Sequence, residues 1–222
     1  MTAAIQVRRH PRARRMKLAV DPLDGTVTLT LPPRAALAPA LAWAQGQQGW
    51  IAAQQARVQG TLAIADGTRL SLEGAEVTIR WTGPRRHAPE LADGVLGCGG
   101  PPERTGARVL RWLQDRALLR LSEDTANYAA RAGVHVAGVG IGDPRRRWGS
   151  CASSGMIRYS WRLILAPPDV RRAVAAHEVA HRLHMNHGPA FHRAWEALYG
   201  TDPAPAMAWL RRNGRHLHRI TA

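Results

Sequence analysis

The hydrophobic and polar positions of the chain change period several times, and each change marks an element. Residues 4–10, 15–20 and 26–31 read as short strands, with turns at Arg12 and Asp24-Gly25. From Ala36 to Val58 the apolar positions take helical spacing, with Trp43, Trp50 and Ile51 on one side and Pro39 in the first turn. Residues 61–98 return to strands and turns, as in Gly74 to Trp81. Gly99-Gly100-Pro101-Pro102 is the strongest internal punctuation. A second long helix is expected over 105–132, with Val109, Leu110, Leu113, Ala117, Leu118 and Leu121 on its apolar face. A strand near 134–141 follows, then a β-hairpin over 145–165 in which Ile157, Tyr159 and Trp161 alternate, then three helices. The order of elements predicts an α+β protein. A β-rich N-terminal lobe with one long helix takes residues 1–100, and a lobe of helices on a small sheet takes 101–222. No internal repeat is present.

The first of those last helices carries the chemistry. His177-Glu178-Val179-Ala180-His181, with His187 six residues on, reads H-E-x-x-H-x5-H. On a helix His177 and His181 leave the same face one turn apart and can reach one metal ion, and Glu178 can reach a water beside it. His187 would complete three neutral ligands with one position open, the pattern of catalytic zinc. Asp169 fits a cap or first-turn acid, and Asn186-His187-Gly188-Pro189 breaks the chain where a third ligand must fold back. His184 shares the face of His177 and His181 and competes for the third place, but it would have to reach back about one turn. That favours His187 as ligand and His184 as a supporting or packing residue. Glu196 is a weaker ligand candidate, and His192 reads as a surface or supporting histidine.

Four blocks carry a family resemblance: Arg147-Trp148-Gly149-Ser150-Cys151, Trp161 to Pro168, His177 to His181, and His184-Met185-Asn186-His187 with Phe191. In this order and spacing they resemble the YgjP-like metallopeptidase domain family, bacterial relatives of the SprT-like zincins. The basic segment from Arg8 to Arg15 and the end from Trp209 to Arg215 resemble it less sharply. The resemblance implies a zincin-like catalytic lobe with the H-E-x-x-H on its active-site helix. It also implies His177, His181 and His187 as ligands of one Zn2+ per chain, and Glu178 as the catalytic carboxylate. His192 departs from the family, which usually carries an aromatic residue after the phenylalanine.

The residues themselves support the same chemistry. Zinc on three neutral histidines keeps its double charge, acidifies a bound water to a pKa of about 7 and polarises a carbonyl or phosphoryl oxygen. Glu178 is placed to take and return the proton. Arg147, Arg162 and Tyr159 are the candidates for stabilising a developing oxyanion, each with a structural role as the plainer alternative. Trp148 either packs over the helix or lines the cleft. The expected function is a zinc-dependent hydrolase acting on a peptide or protein. The same machinery could cleave a nucleotide phosphoanhydride, and a basic nucleic-acid-associated module with a structural zinc is the non-enzymatic alternative.

Charge bears on the partner. The 222 residues hold 31 basic and 16 acidic side chains, a net +15, and Lys17 is the one lysine. Residues 1–20 hold six cations and no acid, and 205–222 four arginines and no acid. This balance fits an anionic partner, a nucleotide or nucleic acid, and equally a solvated basic surface, and one Phe and three Tyr make a base-stacking sheet of the RRM kind a poor expectation. Cys98 and Cys151 form no C-x-x-C and are expected as free thiols, with Cys151 a weak candidate for ligand or nucleophile. The apolar stretch from Ala35 to Ala44 is too short to span a bilayer and is interrupted by Pro39. No signal-like segment follows the basic start, so a soluble cytoplasmic protein without membrane attachment is expected.

Overall fold

A computed structural model describes residues 4–58 and 60–222. The described residues form a mixed α+β structure with six α-helices and four small sheets. Their contacts divide the chain into two compact units, Met1–Thr61 and Leu62–Ala222. This boundary falls well before the Gly99–Pro102 punctuation. The strands after residue 62 bury Leu70, Leu72, Val77, Ile79, Leu96 and Cys98 in the same core as the later helices. The glycines and prolines at 99–102 are thus a turn inside the larger unit.

The first unit is a three-stranded sheet backed by two helices. β1 (Ile5–Arg9) runs parallel to β3 (Val27–Leu31), and β2 (Lys17–Val20) pairs with β3 antiparallel on its other side. Alternation sends Ile5, Leu18, Leu29 and Leu31 to one face, where they pack with Ala40 and Ala44 of α1 (Leu37–Gln45). The single helix expected from Ala36 to Val58 is two. Gly46 and Gln47 interrupt it, and α2 (Gln48–Gln55) begins after the break. Glycine is a poor helix former, and no side-chain cap holds the junction. The expected common face is lost with it: Ile51 is buried, but Trp43 and Trp50 are 40% and 43% exposed.

In the second unit β4 (Leu62–Ala63) pairs with the C-terminal β12 (Ile220–Thr221). β5 (Arg69–Leu72), β6 (Ala75–Trp81), β7 (Glu90–Ala92) and β8 (Val95–Cys98) make a sheet of order β5-β6-β8-β7. The central helix α3 (Thr105–Ala132) has the expected boundaries. Its buried positions are Thr105, Val109, Leu113, Ala117, Leu121, Thr125 and Ala129, each four residues after the last, with Tyr128 beside them. A row at that spacing drifts about 40° per step, so the buried strip winds around the helix and Leu118 is left outside. β9 (Gly138–Gly142), β10 (Gly149–Cys151) and β11 (Met156–Ser160) form a sheet of order β10-β11-β9, with β10 on its edge. A 3-10 turn, Trp161–Leu165, leads to α4 (Pro168–Ala180), followed by α5 (Pro189–Tyr199) and α6 (Ala204–His218).

α4 is held on nearly every side. Val170, Ala173, Val174, Ala175, Ala176, Val179 and Ala180 are all buried, and their small size lets α3, α5, α6 and β10 approach closely. Arg171, also buried, donates to Asp124 Oδ2 of α3 (2.7 Å) and to Glu73 Oε1 in the β5–β6 turn (2.8 Å). Glu73 also accepts from Arg116 Nε of α3 (2.7 Å). Burial alone would raise the Glu73 pKa, but the hydrogen bonds from Arg116 and Arg171 and the charges of Arg116 and Arg120 hold it below the usual glutamate value. Among the described residues no helix is long and apolar enough to cross a membrane.

Candidate metal centre

Pro167-Pro168 and Asp169 start α4, and the helix ends at Ala180 with His181 as its C-cap. His177 and His181 therefore project from one face of its last turn. The chain then turns tightly, with the amides of Leu183 and His184 both bonded to Ala180 O, and returns His187 towards the helix. One ring nitrogen from each of His177, His181 and His187 lies within 4.8 Å of the others. The Nε2 atoms of His177 and His187 are 3.2 Å apart. Two nitrogens bound tetrahedrally to one ion at 2.0–2.1 Å are about 3.3 Å apart, so the spacing suits a shared cation.

The electrostatics suit it as well. Burial, then the charges of His181, His187 and His192, push the His177 pKa down to about 3. Burial and His187 also lower His181. Both rings are therefore neutral at physiological pH, the form that binds metal. His181 Nδ1 faces His184 O at 3.3 Å, a contact that leaves its Nε2 free. The contribution of His184 is thus its carbonyl, while its ring is on an exposed loop residue.

Two aromatic residues beneath the triad carried no assigned role in the sequence. Phe191 is fully buried, and its ring centroid lies 4.9, 4.6 and 4.6 Å from those of His177, His181 and His187. Trp195, one turn later on α5, stands edge-on to His177 at 4.7 Å and donates from Nε1 to Ala173 O (2.9 Å). The available signal was their i, i+4 spacing directly after Pro189.

Glu178 is 5% exposed. Burial raises its pKa to about 7 against the opposing charge of Arg147. Its carboxyl lies against Gly149 of β10. A Cβ at that position would come within 2.6 Å of Glu178 Cγ and 2.7 Å of Cδ. Only a residue without a side chain lets the edge strand pass so close.

A family model for the YgjP-like metallopeptidase domain matches residues 14–213. The chain belongs to the YgjP-like metallopeptidase domain family. Searches of the curated proteins and of the solved structures gave no significant match.

Within this YgjP-like domain the remaining candidates are spread out. Arg147 is exposed and within electrostatic reach of Glu178. Arg162 is buried and fully engaged: it meets Asp143 with Nε (2.7 Å) and Nη2 (3.0 Å), and its Nη1 donates to Leu217 O (2.6 Å) and Ile220 O (2.8 Å). It fastens the C-terminal segment to the loop after β9. Tyr159 is buried with its hydroxyl 2.9 Å from Thr125 Oγ1, and burial drives its pKa far up. Trp148 packs rather than lines a cleft, its ring 5.0 Å from that of His218 and pressed against Gly214. Cys98 and Cys151 are both free, and burial raises the Cys151 thiol rather than activating it. On one side of the triad a cavity of about 520 Å³ is lined by His177, His192, Trp195, Glu196, Met207 and Arg211, among others, so Glu196 and His192 face this hollow beside the triad.

Proposed function

We propose that this YgjP-like domain is a zinc-dependent hydrolase of peptide bonds, in which His177, His181 and His187 hold the ion and Glu178 is the general base. One observation carries the reading: three imidazoles, two of them held neutral by burial, converge next to a buried carboxyl tuned near neutrality. Membership of a metallopeptidase family favours the peptide bond. A bound divalent cation would supply an acidified water and polarise the scissile carbonyl. The protein's part is proton handling and orientation. With a pKa of about 7, the Glu178 carboxyl can accept a proton at neutral pH and release it to a leaving amine. A cation beside it pulls that value down, as Arg147 already does. Gly149 and the edge strand lie against one side of the carboxyl and limit where it can sit. Arg147 is an exposed cation within electrostatic reach of Glu178, placed to meet negative charge developing on a substrate.

The test has two stages. Elemental mass spectrometry should find about one zinc per wild-type chain and none in His181→Ala. Peptide-library or casein cleavage should then require both zinc and Glu178, with Glu178→Gln lowering the rate by 10²–10⁴-fold while keeping the metal. Release of pyrophosphate from nucleotides without peptide cleavage would move the reading to a phosphoanhydride hydrolase. Absence of metal from the wild type after zinc-supplemented growth would overturn it.

A further inference from the structure

The sheet of the first unit has two unlike faces. One is covered by α1 and α2 through Ile5, Leu18, Leu29 and Leu31. The other carries Gln6, Arg8, Lys17, Ala19, Thr28 and Thr30, since side chains alternate along each strand. Register aligns these residues into rows. Arg8 and Lys17 both pair with Thr30, and Gln6 and Ala19 both pair with Thr28. Two exposed cations thus stand about 10 Å apart across a threonine. The loop joining β1 to β2 leaves and returns at the same end of the sheet and adds exposed Arg12, Arg14 and Arg15.

These cations are clustered and have no internal work. The side chains of Arg8, Arg12, Arg14, Arg15 and Lys17 make no ion pair or hydrogen bond among the described residues. Arg9, between two of them in sequence, points to the other face and donates to the carbonyls of Pro32 (3.2 Å), Pro33 (2.6 Å) and Ala35 (3.0 Å). Residues 4–20 contain no acid. Five like charges brought together without a counter-charge repel one another, and an external polyanion relieves that.

We propose that this open face and its loop bind the phosphate backbone of duplex DNA, independently of sequence. The partner follows from the chemistry of the face. It carries no aromatic side chain on which unpaired bases could stack, which disfavours single strands. Trp43 and Trp50 belong to the helices that back the opposite face. Its hydroxyls, Thr28 and Thr30, are short and half-buried between longer cations, so little reaches a ribose 2′-hydroxyl and an RNA duplex gains nothing over DNA. Sheet-borne and loop-borne cations alone read charge density, which duplex DNA presents at one phosphate charge per about 1.7 Å of axis.

Fluorescence anisotropy of a labelled 20-base-pair DNA duplex of mixed sequence, titrated with the full chain at 50–200 mM salt, tests the proposal. Five phosphate contacts give a slope of log K against log salt near −4.5, at about −0.9 per contact. Arg8→Ala with Lys17→Ala should flatten the slope by about 2 and weaken binding at least tenfold at 100 mM salt, with an unchanged circular dichroism spectrum. Arg80→Ala with Arg215→Ala, two exposed arginines of the other unit, should leave both values alone. Absence of binding at 50 mM salt, equal losses from the two double variants, or tighter binding to single strands, an RNA duplex or phosphatidylserine vesicles would each overturn it. Glu178→Gln and the metal-free protein should bind as the wild type does, so the outcome is separable from the hydrolase reading.

Discussion

Gly149 shows how one missing side chain can set the state of another residue. The carboxyl of Glu178 occupies the space that any Cβ at 149 would need. Gly149→Ala should therefore displace the carboxyl, lower kcat about 100-fold and leave the zinc content unchanged. Full activity in that variant would mean that the close approach has no part in catalysis. Phe191 acts on the proposed ligands instead, because its ring packs against all three imidazoles. Phe191→Ala should weaken zinc binding by about 10–100-fold in chelator competition, the usual range for supporting residues, whereas Glu178→Gln should not. The shared face of His177 and His181, with Glu178 beside it, was legible in the sequence because it follows from helix geometry alone, whereas the return of His187 depends on the turn after the helix. Gly149 stood in a recognised block, yet its role was hidden, since contact with Glu178 is made only when β10 packs on α4.

At the scale of elements, long periodic segments were read correctly and junctions were not. α3 begins and ends where its apolar period does, because 28 residues repeat one pattern. The break at Gly46-Gln47 escaped because the apolar spacing continues through it, while local helix propensity falls. The fixing of α4 was also not legible, for it depends on charges 98 residues apart in sequence, Glu73 and Arg171. That clamp makes the metal helix acid-sensitive. Glu73 titrates below its ordinary value of about 4.3, so its contribution is complete above that pH and is lost as pH falls through the lower folded value. Glu73→Gln removes one of the two carboxylates that Arg171 meets, leaving Asp124, and should cost about 2 kcal/mol at pH 7. The gap in Tm between wild type and variant should narrow from pH 5 to pH 3. A gap that stays constant over that range would show that the carboxylate does not support the helix.

For the whole molecule, the division into units decides what removing the metal does. Sequence punctuation suggested a boundary at residue 100, but the strands from 62 onward close the core on which α4 rests. Punctuation marks turns, and only tertiary packing separates a turn from a boundary. The core of the second unit extends through its strands and helices well beyond Phe191 and Trp195, which touch the triad, while His187 is exposed and His181 half-buried at the helix end. A chain with that much buried apolar surface folds without an ion, unlike a small zinc module that is unfolded when empty. Chelation should therefore abolish hydrolysis but keep a cooperative thermal transition and an unchanged far-ultraviolet spectrum. The loss should be the binding linkage alone, about 2.7 kcal/mol where free zinc is 100 times its Kd, which is roughly 5–10 °C in Tm for a domain of this size. Differential scanning calorimetry of the chelated and zinc-loaded protein separates the two cases. A broad, non-cooperative transition after chelation would make the ion structural, and Glu178 would then be a buried carboxyl without a catalytic task.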